Sequence, residues 1–182
     1  MRVLAIDTAL EACGAAVIED GAVRAHAQEF MAKGQAERLA PMVREVFDQA
    51  RCAPRDIDRI VVTVGPGSFT GVRVGLAFAR GLAVALAKPC IGIATLEALA
   101  LEEGASGLRG ALVTTPGALY AAMYRDGAPV LAPQRCERNE LAALFAPFAA
   151  EGFALRGPGV AGFALSGARA VDCAAPDLAA LA

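Results

Sequence analysis

The chain has 182 residues, 56% of them hydrophobic, and 17 basic against 19 acidic side chains leave a formal net charge of -2. That length suits one ordinary domain or two small lobes sharing a cleft, and a core of this size needs no metal or disulfide. The near balance of charge argues against a protein that grips RNA by a basic face of its own, though not against one that serves a complex which does. Five scattered cysteines (Cys13, Cys52, Cys90, Cys136 and Cys173) form no C-x-x-C pair, which removes the usual zinc and thioredoxin-like readings and leaves free thiols in a reducing compartment. The opening "MRVLAIDTA" is a short apolar run that breaks at Asp7, so it reads as a first strand and not as a signal peptide. No stretch approaches about 20 uninterrupted apolar residues, and the expectation is a soluble, cytoplasmic protein with no membrane partner.

Three antiparallel strands are predicted to open the chain, at 2–7, 13–20 and 21–30, with a tight turn at Asp20-Gly21. In the third, Val23, Ala25 and Ala27 alternate with Arg24, His26 and Gln28, so one face should be wet. Residues 35–50 switch to helical period, with Leu39, Met42, Val43, Val46, Phe47 and Ala50 on one side. Pro41 should kink that helix unless the helix proper begins there. A buried strand is predicted at 59–65, a helix at 69–88, a second buried strand at 90–94, and a helix at 95–104 with Thr95 as its N-cap. After Gly107 come strands at 110–115 and 118–130, the latter broken by another Asp-Gly turn, then a helix at 138–150. The tail reads as strand, glycine turn and short helix. Strands, an Asp-Gly hairpin and then helix occur in both halves, a weak internal echo that suggests duplication.

The stretch "VVTVGPGSFTGVRVG" (61–75) is the natural place to look for chemistry. It fits no phosphate loop: Gly65 to Gly71 is one residue too long for G-x-x-x-x-G-K-[ST], and no lysine follows. The dinucleotide pattern fails too, because its third glycine would have to stand at 70 and stands at 71. Ser68 and Thr70 lack a base, since His26 is the lone histidine. What remains is geometric: Ser68 or Thr70 can cap a helix, and Gly71, Gly75, Ala79 and Ala83 recur every four residues. That smooth stripe lies either on the protein's own sheet or against a partner, and spacing does not choose between them. Asp7-Thr8 stands where a D-x-G-T phosphate turn would, but Ala9 replaces the glycine; they form the weak nucleotide-binding candidate. No His-x-x-x-His pair offers a helical metal site, so neither metal nor cofactor is expected.

The segments "AIDTALEACGAAVIEDG", "GQAERLAPMV" and above all "GPGSFTGVRVGLAFARGLA" resemble the bacterial TsaB family of tRNA threonylcarbamoyladenosine biosynthesis. The resemblance runs in order from Met1 to about Thr95 and more loosely beyond. It implies an α/β, actin/Hsp70-like (ribonuclease H-like) fold, mixed sheets flanked by helices, with lobes 1–106 and 107–182, the second shortened. It implies a non-catalytic subunit that supports a TsaD-like catalytic homologue in forming N6-threonylcarbamoyladenosine beside the tRNA anticodon. A TsaE-like ATPase would belong to the same complex, and tRNA would be met only through it. The partner face, by this resemblance, lies on the first two helices, with Leu39, Met42, Val43, Val46, Gly71, Val72, Gly75 and Ala79 as its candidates, and self-association would use the same face. The sequence departs from the family at Gln35, where many members carry histidine, at Val113-Thr114-Thr115, where a D-A-R-like triplet is usual, and in lacking the usual C-terminal segment. The rival readings are an actin-fold phosphotransferase, a metallopeptidase-like enzyme, and a stand-alone homodimeric scaffold.

Overall fold

The structure is a computed structural model that describes residues 1–101 and 107–181. Two five-stranded mixed sheets organise it. The first is built from β1 (Arg2–Asp7), β2 (Ala12–Glu19), β3 (Ala22–Phe30), β4 (Arg59–Thr63) and β5 (Cys90–Ile93), in the order β3-β2-β1-β4-β5. The second contains β6 (Leu108–Thr115), β7 (Ala118–Arg125), β8 (Ala128–Cys136), β9 (Phe153–Gly157) and β10 (Ala168–Asp172), in the order β10-β9-β6-β7-β8. Each sheet has an antiparallel three-strand meander followed by two parallel strands. The two orders are therefore the same topology run twice, which is the physical content of the internal echo. Both hairpins turn on Asp-Gly with positive φ at each residue, 51° and 78° at Asp20-Gly21 and 49° and 82° at Asp126-Gly127. That is the turn whose twist matches the flanking strands. This is the actin-like two-lobe arrangement the sequence led us to expect.

Helices α1 (Gln35–Ala50) and α2 (Phe69–Leu86) cover one face of the first sheet, where Leu4, Ile6, Leu39, Met42, Ile60 and Val62 make a closed core. Pro41 sits on the exposed side of α1, and the helix runs through it. The opposite face takes α3 (Thr95–Ala100) and the last turn of the chain, Leu178–Leu181, which packs with Val3, Ala5, Ile18 and Val61. Leu96, Leu99 and Ala100 of α3 also pack with Ala111, Val113 and Ala122 of the second sheet, so α3 is the bolt between the lobes.

Several sequence expectations are corrected. The helix expected from Thr95 begins there but is flanked by Ala94 in the cap position, and the Thr95 hydroxyl makes no cap hydrogen bond. The cap must precede the first helical residue, and Ala94 has no side-chain acceptor to offer. Its expected residues 102–104, and the lobe boundary at 106, lie outside the described residues. The strand at 90–94 was expected buried; β5 is an edge strand with Cys90, Ile91 and Gly92 exposed, because no further strand covers it. The helix expected over 138–150 is one short α-helix, α4 (Leu141–Phe145), continued as a 3-10 turn through Phe148. Pro147 removes the amide that an α-helix would need there. Strand β8 runs on to Cys136, and β10 had no counterpart in the sequence reading. On β3 the alternation holds at Ala25 and breaks at Val23, 43% exposed, beyond a bulge opposite Val17 and Ile18.

Candidate functional site

The glycine loop after β4 folds back on the first turn of the chain. Ser68 N–H donates to the carbonyl of Ala9 at 2.7 Å, and the Thr8 hydroxyl donates to the carbonyl of Gly71 at 2.7 Å. A Cβ on Gly67 would meet the Ala9 carbonyl, one on Gly71 the Thr8 carbonyl, and one on Gly75 the Thr8 hydroxyl, each well inside contact distance. At Gly67 and Gly71 backbone meets backbone without room for a side chain, and at Gly75 the helix backbone meets the Thr8 side chain. Ser68 caps α2, its Oγ accepting from Gly71 N–H at 3.3 Å, as one of the two expected capping residues should. Gly65 adds a further tie, its carbonyl accepting from Thr95 N–H at 2.8 Å, so the loop joins β1, α2 and α3.

This seating buries the weak nucleotide candidate. Asp7 and Thr8 are 0% and 1% exposed. Asp7 Oδ1 accepts from the Thr63 hydroxyl at 2.6 Å and from Ala9 N–H at 3.2 Å, while its Oδ2 is buried without a partner among the described residues. Burial pushes the Asp7 carboxyl above its ordinary range, against the opposing pull of those two hydrogen bonds. Among the described residues no three His, Cys, Asp or Glu side chains converge as a metal site would require.

The residues expected to meet a partner also turn inward. Leu39, Met42, Val43, Val46, Gly71, Gly75 and Ala79 all lie in the chain's own core, and Val72 is half-buried beside the glycine loop. Apolar periodicity marks the side of a helix that its own sheet buries, and that is the side the sequence reading picked. Of the two alternatives left open for the Gly71–Gly75–Ala79–Ala83 stripe, the structure shows the sheet.

The outward sides of α1 and α2 are exposed. On α2 the side opposite the buried stripe carries Ala77, Gly81 and Ala85, a second small-residue stripe, beside Val84, which is 83% exposed. A Cβ on Gly81 would meet nothing within 4 Å. On α1 the exposed residues include Ala36, Ala40, Pro41 and Arg44. A groove of about 640 Å³ runs along the second half of α1 and the residues after it, lined by Ala40, Val43, Phe47 and Pro54 among others, with Leu82 the one α2 residue in its lining. By length and composition α2 is apolar enough to cross a membrane, although Arg73 and Arg80 interrupt it, and only 22% of it is buried. The sequence did contain the signal: two small stripes run along this helix, and a sheet can use only one.

A family model described as "TsaD: tRNA N6-adenosine threonylcarbamoyltransferase" matches residues 27–121, just over half of the chain. The Escherichia coli (strain K12) tRNA threonylcarbamoyladenosine biosynthesis protein TsaB is 40% identical over 129 residues, covering 69% of this chain and 55% of that protein. The Bacillus subtilis (strain 168) protein of the same description is 38% identical over 100 residues, covering 55% of this chain and 44% of its own length. The chain thus spans about half the length of the curated relatives it matches. Among solved structures, YeaZ from Pseudomonas aeruginosa superposes with a TM-score of 0.84 at 28% identity, covering 99% of this chain and 88% of that one. By the family model and by these relatives, the chain belongs to the TsaD family, in its TsaB branch.

Proposed function

We propose that the chain is the non-catalytic subunit of a tRNA-modifying assembly, holding a TsaD-like homologue through the outward sides of α1 and α2. The homologue would transfer the threonylcarbamoyl group to N6 of the adenosine beside the anticodon, with a TsaE-like ATPase in the same complex and tRNA held by the complex. The observation that carries the reading is the outer side of α2. A glycine inside a helix costs about 1 kcal/mol against alanine, and at Gly81 nothing in the chain itself requires it. An approaching backbone does. The 83% exposure of Val84 adds apolar surface that gains by being covered. Self-association through the same side satisfies the same physics, so a second copy competes with the homologue for it.

The inward Asp7, the failed phosphate-loop spacings and the lone His26 support the non-catalytic part of the reading. The test is reconstitution. Tsa-type modification of tRNA by the TsaD-like and TsaE-like proteins should require this chain, and the chain alone should neither transfer the group nor turn over ATP. Turnover of ATP by the pure chain, lost on Asp7→Ala, overturns the proposal, as does full modification without the chain.

A further inference from the structure

Between the lobes runs a groove in two connected halves that meet at Gly67 and Thr115, which line both. The halves enclose about 430 and 250 Å³. Each carries the same device: the Arg73 guanidinium lies 3.5 Å from the centre of the Phe69 ring, and that of Arg138 lies 4.2 Å from the centre of the Phe163 ring. Phe69 is 70% exposed, a large apolar surface that α2 does not use for packing. Among the described residues neither guanidinium is ion-paired. A third, Arg135, donates through Nη2 to the Gly117 carbonyl at 3.2 Å, on the turn that follows Thr115.

An arginine laid on a ring is biased toward one orientation before any ligand arrives. Its edge N–H groups stay free to donate in plane to phosphate oxygens, and its open face can stack a base. Two such platforms on either side of Gly67 and the Thr114 hydroxyl repeat the pattern base, phosphate, base, while the Thr115 hydroxyl donates to the Ala118 carbonyl at 3.2 Å. A mononucleotide uses only one of them. Glu11 also lines the groove, which keeps its charge modest and its expected affinity low. We propose that this groove binds a short single-stranded polynucleotide, with Arg73 and Arg138 as phosphate donors and stacking platforms. If the chain serves a tRNA-modifying assembly, as proposed above, RNA is the source; the groove chemistry stands without that reading.

Fluorescein-labelled hexanucleotides of RNA and of DNA, titrated against the isolated chain and followed by anisotropy, test this without any partner protein. Saturable binding is expected, with a slope of log affinity on log salt of about -1.4 for two phosphates neutralised on a single strand, with release of their counterions. The double variant Arg73→Met, Arg138→Met should lose at least about tenfold in affinity while melting like the parent. RNA bound more tightly than DNA, or as tightly, supports the proposal. No saturable binding, an unaffected double variant, or displacement of the hexanucleotide by equimolar ATP overturns it. Failure of tRNA modification in the reconstituted system, with hexanucleotide binding intact, would count against the proposed function and not against the groove.

Discussion

Adding a single methyl group at Gly71 separates an inward stripe from an outward one. In Gly71→Ala the new Cβ lands on the Thr8 carbonyl oxygen, and the atom it meets is backbone on β1's own turn. Neither side can swing away. Thr8 is pinned by its hydroxyl to the Gly71 carbonyl, and Ala9 by Ser68 N–H, so relief requires moving α2 off the sheet. Overpacking costs about 1–3 kcal/mol and sometimes more, and a Cβ driven onto a pinned backbone carbonyl stands at the upper end of that range, so it outweighs the gain of about 1 kcal/mol from replacing a helical glycine. The same exchange at Gly81 meets open space and keeps only the gain. For a chain of this length each kcal/mol moves Tm by about 2–4 °C. Thermal unfolding followed by circular dichroism should therefore show Gly71→Ala melting several degrees below the parent and Gly81→Ala melting about 2–4 °C above it. A Gly71→Ala protein that melts with the parent would mean that the loop is not seated on Thr8, and the reasoning about the closed turn would fail with it.

Three further outcomes follow from the same geometry. Ala79→Arg and Met42→Arg should unfold the isolated chain rather than merely block a partner, since both sites are 0% exposed and would bury an unpaired charge at a cost of several kcal/mol; a variant that melts like the parent refutes this. Ser68→Ala should cost about 1 kcal/mol of stability through the lost cap and leave tRNA modification in the reconstituted complex within a fewfold of the parent; a thousandfold loss at unchanged Tm would show that the hydroxyl does chemistry. The carboxyl of Asp7 binds its proton more tightly in the folded chain than in the unfolded one, so its contribution to stability is greatest below the ordinary carboxylate pKa and declines as pH rises through the raised one. Asp7→Asn should remove that decline, leaving the variant at least as stable as the parent at neutral pH in urea titrations. A variant markedly less stable at pH 7 but not at pH 3 would show that the ionised form is the one the fold wants.

Much of the fold was readable because its signals are local. The Asp20-Gly21 and Asp126-Gly127 turns announce hairpins, the run "RIVVT" announces a strand buried on both sides, and the period through Leu39, Met42, Val46 and Phe47 announces α1. β10 was missed because Ala168–Asp172 is an edge strand with little apolar alternation, held mainly by its pairing to β9. The site was less readable for a different reason. Core and interface obey the same hydrophobic rule, so apolar spacing on α1 and α2 identified the sheet side and the partner side together. Only the seating of Gly67 and Gly71 on the Thr8–Ala9 backbone, and of Gly75 on the Thr8 side chain, separates them. The groove between the lobes joins Phe69 and Arg73 to Arg138 and Phe163, residues from opposite halves of the chain that no local pattern connects.

The most direct test of the proposed docking is the affinity of the TsaD-like homologue for chains altered on the outer side of α2. Gly81→Arg and Val84→Arg each place a long cation where the account puts a close helix contact, and both positions are exposed, so neither should disturb the fold. At about 1.4 kcal/mol per tenfold, a loss of three kcal/mol weakens the pair by more than a hundredfold. Isothermal titration should show that loss for both variants while their Tm stays within about 4 °C of the parent. Binding at parental affinity by both would contradict the account and place the partner on another surface.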